Sequence, residues 1–215
     1  MSRKTPVLLL DFGNVIGFFD HRLGAARMAR LLGDAVSADE VYHFYYGTDL
    51  EDQHERGRLT SEEVLQRFKA RFNPTPTCDD AALAQAFGDI FRPNPPVVDV
   101  LQRLPGHIRL VLGSNTNELH YRFFRPMFEN LFERFAALVL SFQIGCRKPE
   151  AEFYHHCLAA CRAEAERVIF FDDREENIRG AAAVGIRAIQ YKPTMDLHAM
   201  LDQLLSDQVS LKHPK

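Results

Sequence analysis

The sequence predicts an α/β fold: a doubly wound parallel sheet interrupted by an inserted all-helical unit. Two observations carry this. Short apolar runs at residues 7–10, 108–112, 137–140, 168–171 and 186–190 alternate with helical segments, the pattern of βαβ units packed into a parallel sheet. Between about residues 20 and 91 that alternation stops and only short amphipathic helices follow one another. The expected division is therefore a core of residues 1–19 and 92–215 and a helical unit of residues 20–91.

The first run, Val7-Leu8-Leu9-Leu10, is wholly apolar, as a strand buried on both faces must be, and it ends on Asp11 and Gly13. After Gly17-Phe18-Phe19-Asp20 the helical unit begins with no convincing strand. Ser37 with Glu40 and Thr60 with Glu63 have the spacing in which each side chain satisfies the other residue's free backbone N–H at a helix start. Val64, Leu65, Phe68 and Phe72 share one helical face, and Leu83, Phe87, Ile90 and Phe91 another, enough for a small separate core. A turn is expected at residues 73–77, and Pro93, Pro95 and Pro96 mark the return to the sheet.

From Val97 a helical face (Val97, Val98, Leu101, Leu104) precedes the second strand, which ends in Gly113-Ser114-Asn115. A helix over about 118–128 and the third strand follow. The loop Gly145-Cys146-Arg147-Lys148-Pro149 comes next, its proline suited to the first turn of a helix. The fourth strand ends in Asp172-Asp173, a small-residue helix over 177–184 leads into the fifth, and one amphipathic helix and a polar tail complete the chain.

A net charge of −3 with Lys and Arg scattered among Asp and Glu leaves no basic patch of the kind nucleic-acid binding needs. Residues 7–10 are far too short for a membrane span or a secretion signal, so no membrane partner and a cytoplasmic location are expected. Cys157 and Cys161 fall on an apolar stripe with Phe153, Tyr154 and Leu158 and read as buried thiols.

Each strand of this sheet delivers polar groups to one edge, the crevice in which open α/β sheets bind ligands. Asp11 ends the first strand, Ser114 and Asn115 the second, Lys148 follows the third, and Asp172 with Asp173 ends the fourth. Three carboxylates so close need a compensating cation, and Mg²⁺, which favours hard oxygen ligands and phosphate, supplies it. With Lys148 and a small hydroxyl beside it, such a site holds a phosphoryl group, and Asp11 is placed to be a nucleophile that forms an aspartyl phosphate.

Four motifs resemble those of the haloacid dehalogenase superfamily of phosphatases: Leu9-Leu10-Asp11-Phe12-Gly13-Asn14-Val15, Leu112-Gly113-Ser114-Asn115, Arg147-Lys148-Pro149, and Phe170-Phe171-Asp172-Asp173 with Asn177, Gly180 and Ala181. The resemblance runs through the whole chain, and within the superfamily it is greatest to bacterial phosphatases of alpha-D-glucose 1-phosphate. It implies that the helical unit is a cap, with His54 to Thr60 as a turn typical of such caps. It further implies Asp11 as nucleophile and Mg²⁺ ligand, the Gly13 carbonyl as a second ligand, and Asp173 as a third, helped by Asp172 directly or through water. Ser114 and the Asn115 amide would bind the phosphoryl oxygens, and Lys148 would offset the charge of nucleophile and phosphate. The implied substrate is a small phosphorylated metabolite.

One position departs from the family. Most of its phosphatases carry an acid–base aspartate two residues after the nucleophile, and here that residue is Gly13. General acid–base help is worth about 10²–10⁴-fold, so either turnover is slow or a donor comes from elsewhere. Asp20, His21 and His54 qualify by chemistry, with exposed surface positions as the alternative reading. A 2-haloacid dehalogenase also lacks that aspartate, but an Asp172-Asp173 pair would repel its carboxylate substrate. A non-catalytic binding protein is the other alternative, since a fold does not fix function, and a phosphomutase fits less well because phosphoryl return leans on the missing residue. The sequence leaves the exact substrate and the oligomeric state open.

Overall fold

The computed structural model describes residues 6–33, 35–73 and 78–210, and for 205–210 the backbone alone. Among the described residues the chain begins with β1 (Val7–Leu10) and β2 (Gly17–Phe19). The helices α1 (His21–Leu32), α2 (Ala38–Tyr45), α3 (Asp49–Glu55), α4 (Ser61–Phe72) and α5 (Asp80–Gly88) follow. Next come β3 (Phe91–Pro93), α6 (Pro95–Arg103), β4 (Arg109–Ser114), α7 (Glu118–Phe124), α8 (Glu129–Phe132), β5 (Phe135–Leu140), α9 (Ser141–Ile144) and α10 (Ala151–Cys161). The chain continues through β6 (Val168–Asp172), α11 (Glu175–Ala183), β7 (Arg187–Gln190) and α12 (Leu197–Ser210).

The main sheet is parallel, in the order β5-β4-β1-β6-β7. β1 is its centre, with Leu10 level with Leu112 on one side and Phe171 on the other. Because successive strand residues point to opposite faces, Leu8 and Leu10 pack with Leu110, Leu112, Ile169 and Phe171 beneath α6, α7, α8 and α12. Val7 and Leu9 pack with Val111, Val168 and Phe170 beneath α10 and α11. Two cores, one on each face, make the sheet doubly wound, and they fix where the strand ends lie.

The helices α1–α5 close on a third core of Met28, Val41, Tyr45, Val64, Phe68, Leu83 and Phe87, with Leu119 of α7 joining it. Each buried side chain of this size contributes about 1.5–3 kcal/mol. The predicted cap boxes form: Ser37 and Glu40 open α2, and Thr60 and Glu63 open α4, each accepting from the other's backbone N–H. Cys157 and Cys161 are free and buried, as their stripe predicts.

Several expectations are corrected. β2 pairs antiparallel with β3, so the residues that enter and leave the helical insert form a two-stranded ribbon where no strand is expected. α5 ends at Gly88, and Phe91 belongs to β3 and packs with the sheet core, because the backbone of Ile90 turns to accept the N–H of Asp20. The helix expected over 118–128 stops at Phe124, passes through a 3-10 turn at Arg125–Phe128 and resumes as α8, with Pro126 in the turn. Pro149 lies outside α10, whose N-cap is Glu150. Residues 74–77 of the predicted turn and the tail beyond Ser210 lie outside the described residues.

Candidate active site

β1, β4 and β6 end side by side, and the backbone N–H of Asp11 extends the ladder by donating to the Phe171 carbonyl at 2.9 Å. Asp11 and Asp172 thereby stand at the same level on neighbouring strands. Lys148, 3 % exposed, reaches between them: its Nζ donates to Asp11 Oδ1 at 2.6 Å and to Asp172 Oδ2 at 2.7 Å. Lys148 is held from behind by Asn115, whose Oδ1 accepts its backbone N–H at 2.8 Å and whose Nδ2 donates to its carbonyl at 2.9 Å. So the second motif positions the third.

Asp172 is fully buried. It accepts from Asn177 Nδ2 at 2.9 and 3.0 Å and from the Arg174 backbone N–H at 2.9 Å. Its neighbour Asp173 is half-buried, and Asn14 Nδ2 donates to its Oδ2 at 2.9 Å. Asn14 reaches it from a left-handed backbone conformation (φ 55°), which asparagine tolerates. Asp11, Asp172 and Asp173 each bring an oxygen within 4.8 Å of the others. That set of hard donors suits a divalent cation such as Mg²⁺.

The electrostatics follow from burial. Loss of hydration pushes the Asp11 carboxyl up to about 7; Lys148 pulls it down, while Asp172 and Asp173 push it further up. Burial opposes the charge on Lys148 too, but Asp11 and Asp172 outweigh it and hold the ammonium above its ordinary range. Burial likewise raises Asp173, against the hydrogen bond from Asn14. A cation here would relieve the remaining carboxylate repulsion.

Ser114, 2 % exposed, and Asn115 line the same cavity as Asp11, Gly13, Lys148 and Asp173, so the residues expected to bind metal and phosphoryl group gather at one place except Asp172, which is bonded to Lys148 but does not line it. The cavity measures about 140 Å³. That is below the roughly 300–1,000 Å³ of sites for drug-sized ligands. Its floor is this polar cluster. Its walls are Phe12, Phe19, Phe91 and His120 from the sheet side and His21, Glu51 and Glu55 from the helical insert, with Arg147 and Arg174 at the margin.

Gly13 is closed to a side chain by its surroundings: a Cβ there would lie 2.9 Å from Phe19 Cε1 and 3.6 Å from Asp11 Oδ2. Of the three candidate donors, Asp20 is exposed and caps α1 by accepting from the Leu23 N–H at 3.0 Å. His21 does line the cavity, its ring stacked on Tyr46 at 4.0 Å and on Phe19 at 4.5 Å. Burial lowers it to about 4, so it is neutral.

His54 departs from the expected surface position: it is 1 % exposed and belongs to a buried hydrogen-bond chain. Asn117 Nδ2 donates to Tyr45 Oη (3.4 Å), Tyr45 Oη to His54 Nδ1 (2.8 Å), His54 Nε2 to Ser61 Oγ (3.2 Å), and Ser61 Oγ to Glu118 Oε2 (2.7 Å). The directions are fixed from the two ends, because an amide nitrogen donates and a carboxylate accepts. The chain ties α7 of the core to α2, α3 and α4 of the insert.

A second tie is ionic. Arg147 meets Asp52 at 3.2 Å and Glu55 at 2.7 Å, while Arg56 pairs with Asp52 at 2.7 Å and with Glu150. The turn after α3 also lies directly on the core, since a Cβ on Gly57 would stand 2.1 Å from the Phe142 carbonyl oxygen. The residues that sequence reasoning missed, Glu51, Glu55, His120 and Arg174, reach the cavity only through this contact or through the first turns of α7 and α11. For Glu55 the available signal was its place within the stretch His54 to Thr60.

The model of the haloacid dehalogenase-like hydrolases matches residues 19–185. A sesquiterpene phosphatase of Aspergillus oryzae is 26 % identical over 163 residues, 72 % of this chain and 78 % of that protein. Drimenol cyclase of Aspergillus calidoustus is 24 % identical over 210 residues, 92 % of this chain but only 36 % of that protein's length. In fold, the chain is similar to a haloacid dehalogenase family enzyme of Bacteroides thetaiotaomicron, whose crystal structure is a complex with magnesium and inorganic phosphate. The TM-score is 0.77 at 21 % identity, over 92 % of this chain and 99 % of that one. In the helices of the described residues no segment is long and apolar enough to cross a membrane. With a family model matched across most of its length and an α/β core to go with it, the chain belongs to the haloacid dehalogenase-like hydrolases.

Proposed function

We propose that the protein is a Mg²⁺-dependent phosphatase that hydrolyses a small phosphomonoester through an aspartyl phosphate on Asp11. The observation that carries this reading is the cluster of Asp11, Asp172 and Asp173 with the Lys148 ammonium bonded to two of them. Asp11, the Gly13 carbonyl and Asp173 would hold the ion, with Asp172 supporting directly or through water. When bound, Mg²⁺ supplies positive charge for the phosphoryl oxygens.

The chain's own residues do the rest. Asp11 attacks phosphorus with the oxygen Lys148 leaves free, and Lys148 keeps that carboxylate ionised and offsets the phosphate charge. Ser114 and the Asn115 amide receive the phosphoryl oxygens. The helical insert, residues 20–91, acts as a cap that shields the aspartyl phosphate from bulk water. In a cavity of about 140 Å³ the polar groups Glu51, Glu55, His21 and Arg147, set among Phe12, Phe19 and Phe91, favour a compact hydroxylated leaving group such as a sugar over a long apolar one. A sugar phosphate joined at the anomeric carbon also carries a comparatively good leaving group, which suits a site with Gly13 at the acid–base position.

Phosphate release from a panel including glucose 1-phosphate and acetyl phosphate, with and without Mg²⁺ and beside Asp11→Asn, tests the reading. Release that needs both metal and Asp11 supports it. Silence with Mg²⁺ still bound would move the assignment to a binding role, and halide release from 2-chloropropionate without metal would move it to a dehalogenase.

A further inference from the structure

We infer that Glu55 of the helical insert is the proton donor and acceptor that stands in for the side chain missing at Gly13. The inference rests on the phosphatase reading above and goes beyond it by naming the acid–base residue. Three observations converge. First, position 13 is sterically closed by the Phe19 ring, so no donor can be built beside Asp11 on the same loop without moving that ring. Second, Glu55, at the end of α3 in the insert, lines the same cavity as Asp11, Ser114 and Lys148, which come from the strand ends and loops of the sheet. Third, its side chain is only 14 % exposed, and Oε2 is buried without a hydrogen-bond partner; the Arg147 Nη2 at 2.7 Å is an ion-pair neighbour out of hydrogen-bond alignment.

The other polar groups on that wall serve less well. Glu51 is committed to the Gly47 N–H at 2.8 Å. His21 and His120 are neutral through burial, so neither has a proton to spare for an alkoxide at neutral pH. Glu55 differs: burial pushes its carboxyl up to about 7, with Arg147 and Arg174 pulling it down and Glu51 and Asp52 pushing it up. That is where a general acid and base at neutral pH is best placed.

The chemistry balances in two steps. As Asp11 attacks, the bond from phosphorus to the ester oxygen breaks, its electron pair stays on that oxygen, and the Glu55 carboxyl proton moves to it, releasing an alcohol. In the second step the Glu55 carboxylate takes a proton from water as that water attacks phosphorus, the bond to Asp11 breaks, and phosphate leaves. Glu55 and Asp11 are both restored.

The test compares Glu55→Gln with wild type on two substrates, an alkyl phosphate, whose leaving oxygen needs a proton, and acetyl phosphate, whose leaving group does not. The expected result is a kcat/KM lower by about 10²–10⁴-fold on the alkyl phosphate, with acetyl phosphate far less affected. A retained acetyl phosphate kcat/KM, which reports the first step alone, also shows the variant to be folded, while kcat should fall on both substrates because the second step has lost its base. The wild-type kcat/KM on the alkyl phosphate should fall as pH rises through about 7 and the Glu55 acid form is lost; that limb should vanish in Glu55→Gln and return, weakened, in Glu55→Asp.

An equal loss of kcat/KM on both substrates would overturn the inference, leaving Glu55 a positioning partner of Arg147. So would a leaving-group dependence that appears in His21→Asn instead. If wild type releases no phosphate from either ester, the phosphatase reading itself fails and the inference falls with it.

Discussion

Replacing Lys148 by Met removes the cation that holds the site together while keeping most of the side chain's apolar length. The ammonium is 3 % exposed and lies 2.6 and 2.7 Å from two carboxylates, one of them fully buried. Taking away one partner of such a group leaves buried charge uncompensated, which costs about 3–5 kcal/mol. In a chain of this size each kcal/mol moves Tm by about 2–4 °C, so the metal-free variant should melt roughly 6–20 °C below wild type at pH 7. The sign with pH follows from the carboxylates. At pH 5 they take up protons more readily in the variant than beside Lys148, so its deficit should shrink, and Mg²⁺ at pH 7 should shrink it too by supplying the charge. Scanning calorimetry at both pH values, with and without Mg²⁺, reads all of this. A metal-free Tm equal to wild type at pH 7, or a deficit identical at both pH values, would refute the idea that Lys148 acts as the site's counter-charge.

Three further outcomes are expected. Gly57→Ala should lose about 1–3 kcal/mol, as overpacking does, and raise KM, because its φ of 65° and the Phe142 carbonyl leave no room for a methyl group; denaturant titration and kinetics check it. Asn115→Ala removes both hydrogen bonds that clamp the Lys148 backbone and should cost about 1–3 kcal/mol together with kcat, whereas unchanged kinetics would show that Lys148 is positioned without it. His54, lowered by burial to about 4, protonates more easily unfolded, where its ordinary value is 6.5, than folded. The stability it confers is therefore present above pH 6.5 and is lost as pH falls towards 4, in total roughly 3 kcal/mol. In His54→Gln the stability difference between pH 7 and pH 4.5, measured by urea unfolding, should be smaller by about that amount, and an unchanged difference would contradict the buried chain from Asn117 to Glu118.

Much of this was legible in the residues. The apolar runs carry the sheet because a strand buried on both faces has no freedom in composition, and the polar residues ending those runs stand out for the same reason. Asp11, Ser114 and Asp173 could be found that way, and Lys148 from the loop that follows the third run. The β2–β3 ribbon could not, since two three-residue strands are held by backbone hydrogen bonds and closed by Phe18, Arg92 and Pro93, which carry no alternating pattern. Glu51 and Glu55 escaped for a different reason. They read as the solvated face of a short helix until the turn at Gly57 brings that helix onto α9 and Arg147, and contact between segments some 90 residues apart leaves no local signature. His54 was misjudged likewise: a polar residue two positions before an Arg-Gly turn looks exposed, and only Tyr45 and Ser61, folded against it, make it a core residue.

The central claim is a covalent phosphoryl group on Asp11, and the most direct measurement is to trap it. Acetyl phosphate is mixed with the protein and Mg²⁺, the reaction is quenched in acid within milliseconds to seconds, and the peptides are mapped by mass spectrometry. The expected result is the added mass of one phosphoryl group on the peptide that carries Asp11, present only with Mg²⁺, discharged by hydroxylamine and absent in Asp11→Asn. Phosphate release at full rate with Asp11 never modified, or turnover that survives Asp11→Asn, would contradict it.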